Sequence, residues 1–502
     1  MEGSPNNRAV GALAATRVVG IWKGVDYAAL AAFIIVVPRV MGPTLYGRLA
    51  ALVSLMALLV STSGLGTGAT FGRFLPEYSV TGDRSQARAL FIQLFWTRAV
   101  LALFLSIGLM AFLPKLLPGL SWFSFTIAGV ALLAGAIAAT CFQACYGSKQ
   151  FGKWSSQDPL TRITLLVLLV LLGGAHSLDR AIIAVALSNL VILALGLFWS
   201  QDFFKGERAP IRWESVFAHL RFGVTVFAGN LLLITVWRLG EATIVLLSGN
   251  SSEAAFFNIA NAAVMSASML TLQVFVMLIP VFTSLYVSGN QAAVEESMGR
   301  VLKYVTIGAF FAILAAYIAG PIVIERLLGQ RYAVVNANLR ALVLALPATA
   351  LLALGATCGV IWQCPGKTMI TNGAALCTFV GAAFLLVPRM ISVGASIAVT
   401  LAMFTGAAFT CYLFDLAAVL RTARFGRLIL VCSVSFAVLI LKPVPALITG
   451  ALAAALFIGL LFTTGILQVV EIRTVVRGLK VRAGDFAQTK SVGAPADEAP
   501  HS

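Results

Sequence analysis

Charged and amide side chains that interrupt long apolar runs are the residues of this chain equipped for chemistry. Lys23 and Asp26 stand three apart in one apolar run, and Arg238 and Glu241 stand three apart around the end of another. Arg17 precedes the first run, Arg73 closes the second, Gln93 and Arg98 lie in the third, and Asn230, Asn258 and Asn261 fall in later ones. An unpaired charge in hydrocarbon is expensive, so each charged group needs a partner, a wet cavity or a route to the headgroups. Two readings follow. In one, the i,i+3 pairs Lys23/Asp26 and Arg238/Glu241 neutralise themselves on a helix face. In the other, basic groups line a water-filled cavity that takes an anionic headgroup, since guanidinium meets phosphate in a two-pronged geometry that ammonium cannot copy. Arg17, Lys23, Arg73 and Arg238 then attract the anion, while Asn230, Asn258 and Asn261 supply hydrogen bonds. Asp26 and Glu241 couple or tune the site, carboxylates being the groups able to bind H⁺ or Na⁺; the sequence does not choose between these ions.

Other chemistry is poorly provided for. Gly366-Lys367-Thr368 looks like the end of a phosphate-binding loop, but Ile361 stands where that loop needs glycine. Of the seven cysteines, Cys141 and Cys145 share a helix face, yet no Cys-x-x-Cys or Cys/His cluster accompanies them, which suits small packing residues. The longest loops, 71–90, 201–219 and 281–301, leave no room for a soluble catalytic domain. The expectation is a non-enzyme with no catalytic residue, metal or cofactor.

The elements that must position these groups follow from composition. Of the 502 residues, 60% are apolar and only 11% charged, with a mean hydropathy of +0.96. Soluble domains carry roughly 25% charged residues, so a soluble enzyme and a disordered chain are both excluded. The apolar residues come in blocks long enough to cross a ~30 Å hydrocarbon core. The pattern predicts an all-α polytopic membrane protein with fourteen spans, near 18–37, 46–70, 91–113, 121–143, 160–175, 181–200, 220–239, 254–280, 302–324, 339–361, 369–387, 391–414, 427–441 and 444–468. With both termini on the cytoplasmic side, 25 of the 35 Lys and Arg face the cytoplasm, the side on which they accumulate. The net charge of +16 then reflects basic loops beside anionic membrane lipids, with no nucleic acid as partner. Residues 1–17 lack the pattern of a secretory signal and read as a cytoplasmic N-terminus; 478–502 reads as a disordered cytoplasmic tail.

Two pairs of segments suggest an internal repeat. Tyr78 and Tyr286 are 208 positions apart and Gly82 and Gly289 are 207 apart, each set opening a polar loop after an apolar run. Gly147-Ser148-Lys149 and Gly366-Lys367-Thr368 match at an offset of 218 to 219. The expected organisation is two pseudo-symmetric six-helix lobes, 18–200 and 220–414, joined by a cytoplasmic linker at 201–219 and followed by two further helices at 427–468. Repeated bundles around a midplane site are a transporter architecture. Gly64, Gly68 and Gly72 form a stripe that serves close helix packing, a bend used in gating, or both.

Several short segments, in order, resemble a known family. Met41-Gly42-Pro43-Thr44-Leu45-Tyr46-Gly47, then Arg73-Phe74-Leu75-Pro76-Glu77-Tyr78 with Gly82-Asp83, are similar to turns of polysaccharide-lipid flippases in the multidrug/oligosaccharidyl-lipid/polysaccharide exporter superfamily. Arg221-Phe222-Gly223, Phe256-Phe257-Asn258-Ile259-Ala260 and Leu328-Gly329-Gln330-Arg331-Tyr332 resemble later segments of the same proteins. Glu241 stands where the family usually has Asp, and Ala255 where it has Gly. The resemblance implies two lobes that alternate access and move undecaprenyl-diphosphate-linked oligosaccharide from the inner to the outer leaflet of a bacterial inner membrane. O-antigen, capsule or exopolysaccharide synthesis would use the product, with a polysaccharide polymerase and chain-length proteins as partners. By the same resemblance, the last two helices either form a groove for the lipid tail or simply pack. The alternatives are a cation-coupled multidrug exporter of the same superfamily and a non-transporting scaffold of a polysaccharide assembly complex.

Overall fold

The computed structural model describes residues 5–81, 83–174, 176–205, 213–287, 289–441 and 446–467, and every regular element among them is a helix. In chain order these are α1 (Pro5–Met41), α2 (Pro43–Ser63), α3 (Thr67–Thr81), α4 (Arg84–Leu116), α5 (Trp122–Gly147), α6 (Phe151–Ser155), α7 (Gln157–Leu171) and α8 (Leu178–Trp199). Then come α9 (Trp213–Arg238), α10 (Gly240–Ser248), α11 (Ser251–Val287), α12 (Gln291–Leu328), α13 (Val334–Val343), α14 (Leu346–Ile361), α15 (Pro365–Leu413), α16 (Ala417–Thr422), α17 (Phe425–Leu441) and α18 (Ala446–Thr463). The tail at 478–502 lies outside the described residues.

Local chemistry sets the boundaries. Pro43 lacks the N–H that would continue α1 and takes the first position of α2 instead. Asp83 opens α4 by accepting the Gln86 N–H at 3.0 Å and the Ser85 hydroxyl at 2.8 Å. Those bonds, led by the Gln86 N–H, hold its carboxyl below the usual carboxylate range. Asn290 opens α12 in the same way, accepting the Ala293 N–H at 3.1 Å. These two caps are 207 positions apart, the offset read for Gly82 and Gly289. The other repeat match falls differently: Gly366-Lys367-Thr368 lies in the first turn of α15, not in a turn after a helix.

Among the described residues, α1, α2, α4, α5, α8, α11, α12 and α15 are each long and apolar enough to cross a membrane. Two bent pairs, α9 with α10 (48°) and α13 with α14 (44°), bring the number to as many as ten. Helix α15 is two helices meeting at Ile391 (φ 50, ψ −118), the boundary expected between spans 369–387 and 391–414. The other expected spans are short. At 1.5 Å per residue the 15-residue α7 is only ~22 Å long against a ~30 Å core, so length alone does not establish fourteen.

The chain forms two compact units, Met1–Val294 with Ala319–Leu416, and Glu295–Ile318 with Ala417–Ser502. In the second, Phe310 and Phe311 of α12 close on Phe457 of α18 with ring centroids 4.4 and 5.2 Å apart, and Tyr317 meets Phe436 of α17 at 5.0 Å. The buried Lys303 places its ammonium 3.3 Å from the Ile466 carbonyl. In the first unit, α5 packs against α4 and α8, α2 against α11, and α9 against α15. Helices in lipid gain little from hiding apolar surface, so close approach through small side chains holds them together. Helix α5 illustrates this with Ala128, Ala131, Ala136, Ala138, Cys141 and Ala144 almost fully buried.

The break between α2 and α3 at Gly64–Gly66 is held by Arg98 of α4. Its guanidinium, 2% exposed, donates to the Val60 carbonyl (2.9 Å), Ser63 Oγ (3.2 Å), Thr67 Oγ1 (3.3 Å) and Gln143 Oε1 (3.0 Å). No carboxylate pairs with it among the described residues. Its charge rests instead on the carbonyl end of α2, the negative end of that helix dipole. Gly64 lies in the break, and Gly68 and Gly72 of α3 pack against Gln143 and Tyr146 of α5, as close helix packing requires.

Candidate functional site

Two buried polar clusters lie in the first unit. The first joins α1 to α7. Asp26, 5% exposed, receives the Arg162 guanidinium at 2.6 Å on Oδ1, and the same nitrogen reaches the Asp26 main-chain carbonyl at 3.2 Å. Lys23 stands farther off, 3.9 Å from Asp26 and 3.6 Å from Asp158 of α7. The i,i+3 pair is thus the weaker contact. Arg162 and Asp158 are the residues that complete the cluster.

The second cluster joins α2, α10 and α11. The buried Tyr46 hydroxyl donates to Asn258 Oδ1 at 2.7 Å, and Asn258 Nδ2 donates to Glu241 Oε1 at 2.7 Å. One turn along α11, Asn261 Nδ2 donates to the Trp237 carbonyl at 2.9 Å. The remaining oxygens, Glu241 Oε2 and Asn261 Oδ1, are buried and make no hydrogen bond. Leaving such a group unsatisfied costs about 1–3 kcal/mol, more if it is charged. A proton or a monovalent cation on Glu241 would relieve that cost there.

Arg238 does not pair with Glu241, because the helix break at Leu239 falls between them and undoes the i,i+3 geometry. The Arg17 side chain lies outside the described residues; its backbone is in α1. Arg73 is exposed on α3 with its guanidinium 5.5 Å from the Phe74 ring centroid, and Asn230 is exposed on α9 two turns before Arg238. Among the nine candidate residues the structure therefore brings together Lys23 with Asp26, and Glu241 with Asn258 and Asn261. Nothing in the described contacts joins Arg73 or Asn230 to either cluster. The described residues include no group of three or more His, Cys, Asp or Glu arranged to hold a metal.

Gly240 sets the second cluster's geometry, since a Cβ there would overlap the Phe257 ring of α11. Gly240→Ala should lower stability by about 1–3 kcal/mol through overpacking. Combined with Phe257→Leu it should cost less than the two single changes summed, as read by thermal unfolding in detergent.

The segment 328–332 reaches the end of α1. The Tyr332 hydroxyl donates to the Pro38 carbonyl, and Arg331 Nη2 lies 3.4 Å from the Arg39 carbonyl. This fastens the end of α1 to the turn after α12.

Residues 18–286, more than half of the chain, match the model of the family described as polysaccharide biosynthesis protein. No curated protein matches the chain in sequence. Among solved structures, the fold is similar to the lipid II flippase MurJ in its inward closed conformation, with a TM-score of 0.67 at 12% identity over 89% of this chain and 100% of that one. It is also similar to a multidrug resistance MATE family transporter of the MOP superfamily in its inward-facing conformation, with a TM-score of 0.60 at 15% identity over 80% of this chain and 99% of that one. A point mutant of the Vibrio cholerae MATE transporter VcmN gives 0.50 at 11% identity, over 79% of this chain and 98% of that one. Identities this low speak to the fold. The sequence match over 18–286 makes the chain a member of the polysaccharide biosynthesis protein family, and its helical fold is similar to those of the MurJ flippase and the MATE transporter.

Proposed function

We propose that this protein flips an undecaprenyl-diphosphate-linked oligosaccharide from the inner to the outer leaflet by alternating access. It would do so in a bacterial inner membrane, with both termini cytoplasmic, for O-antigen, capsule or exopolysaccharide synthesis. A polysaccharide polymerase and chain-length proteins would be its partners. The observation that carries this reading is the cluster between α1 and α7, where Arg162 and Lys23 gather on Asp26 and Asp158. Lys23 and Arg162 present two positive charges to a diphosphate, and Asp26 and Asp158 present two negative ones when ionised. The site therefore gains affinity for an anion only as carboxylates are neutralised. On this reading Asp26 and Glu241 are the groups that bind a coupling H⁺ or Na⁺.

A cation-coupled multidrug exporter is the competing reading, supported by the MATE-like fold and by the depth at which Asp26 and Glu241 are buried. A scaffold for an assembly complex would need no exchange between states, so crosslinks that lock α2 to α11 should leave it active. The test is a deletion strain complemented with variants. Loss of the protein should cause a lipid-linked oligosaccharide to accumulate, and simultaneous Ala substitution of Arg17, Lys23, Arg73 and Arg238 should reproduce that at normal protein levels. Unchanged export in the fourfold variant, or drug sensitivity without lipid accumulation in the deletion, would reject the flippase reading.

A further inference from the structure

A cavity of about 340 Å³ lies in the first unit between α1, α11, α12 and α13. Its wall on α1 is Tyr27, Leu30 and Ile34, recurring at three and four residues so that they share one helix face. Small residues on α11, Ala260 and Ala263, and Gly320 on α12 create the space. Ser266 is the only hydroxyl on its α11 wall, and it is spent on the Ala262 carbonyl at 2.7 Å. Val323 and Leu327 of α12 are 47% and 38% exposed, so the cavity opens at the surface instead of being sealed. An apolar cavity of about 150 Å³ stays dry and takes a benzene-sized ligand. By that scale this one holds about twice as many carbons.

The face of α1 that lines the cavity continues inward to Lys23, one turn before Tyr27 and ~6 Å away along the axis. A cation followed at once by an apolar pocket complements an amphiphile whose anionic head and hydrocarbon chain are joined directly. We propose that the cavity receives the first two isoprene units of a polyprenyl diphosphate while the diphosphate lies at Lys23 and Arg162. This rests on the substrate reading above and adds to it the part of the lipid chain the protein grips, at a place distinct from α17 and α18. A leaflet phospholipid chain would fill the same volume, but nothing would then tie it to the charged end of the face.

The test uses the purified full chain and two probes, neryl diphosphate, with two isoprene units, and methyl diphosphate, with none. Wild type should bind neryl diphosphate at least about tenfold more tightly, since each buried methylene is worth ~0.8 kcal/mol. Ala263→Phe and Val323→Trp project bulk from exposed positions into the cavity. Each should bring the two affinities within about twofold of one another by weakening neryl diphosphate alone, with unfolding temperature unchanged. Retention of the tenfold preference in both variants would overturn the proposal, as would equal weakening of both probes. Loss of co-purified phospholipid from the variants, with neryl diphosphate binding intact, would overturn it in favour of an acyl chain. A wild type that binds neither probe would instead overturn the substrate reading itself, and this subsite with it.

Discussion

Arg162→Ala is expected to be the most damaging single charge removal in the protein. It leaves the buried Asp26 carboxylate with only Lys23, 3.9 Å away and already shared with Asp158. Breaking one side of a buried pair costs about 3–5 kcal/mol, and Arg162, 31% exposed, belongs at the lower end. Polysaccharide export should fall at least about tenfold, part of it through lost protein. The double change Asp26→Asn with Arg162→Gln separates the two causes. Removing both charges leaves no uncompensated ion, so stability should return to within about 1 kcal/mol of wild type. On the flippase reading export should nevertheless stay low, because the headgroup would lose a cation and the site a carboxylate proposed for coupling. Melting curves in detergent and surface polysaccharide, measured on the same variants, would show whether stability and export part company. If export returns with stability, the cluster is a brace for α1 and nothing more.

The second large effect is expected where α3 meets α9. Gly66 (φ 79) opens α3, and a Cβ on it would overlap the Gly223 carbonyl of α9. The reverse is nearly as tight, a Cβ on Gly223 falling 2.7 Å from Thr70 Oγ1. This is backbone lying on backbone, so a side chain cannot be absorbed by a rotamer change. Gly66→Val adds left-handed strain of about 1–2 kcal/mol to the clash, so Gly223→Val is the cleaner variant. It should force α3 and α9 apart at the end of the bundle where α1 begins, and raise labelling of cysteines placed between them several-fold. At the opposite end, a Cβ on Gly47 of α2 would overlap the Ser251 carbonyl of α11. Gly47→Val should open that end and leave labelling between α3 and α9 low. If both variants label alike, the two contacts are not the alternating gates of a transporter.

The sequence disclosed the helices, the breaks at proline and glycine, and the polar residues with nowhere dry to hide. Asp26, Glu241 and Asn258 were legible because a polar group in an apolar run must find a partner. The identity of those partners was not. Arg162 opens a short run, where nothing in the sequence sets it apart from a charge at a span end, while Tyr46, an amphipathic aromatic, gives no signal that its hydroxyl faces Asn258 rather than a headgroup. The i,i+3 rule misjudged Arg238 and Glu241 because it presumes an unbroken helix, whereas Gly240 stands between them at the break. The cap pair Asp83 and Asn290 could be matched by eye because a cap is local chemistry. The cavity could not, because its four walls come from helices hundreds of residues apart.

Arg98 bears on how such a chain is built. Its charge is tolerable in the bilayer only once acceptors from α2, α3 and α5 surround it. Gln143, the last of these acceptors to be synthesised, follows Arg98 by 45 residues. A segment released singly into lipid would carry a bare guanidinium until that helix arrived. The first five helices are therefore obliged to leave the insertion machinery as a group, with Arg98 kept beside water or protein until α5 closes the cage.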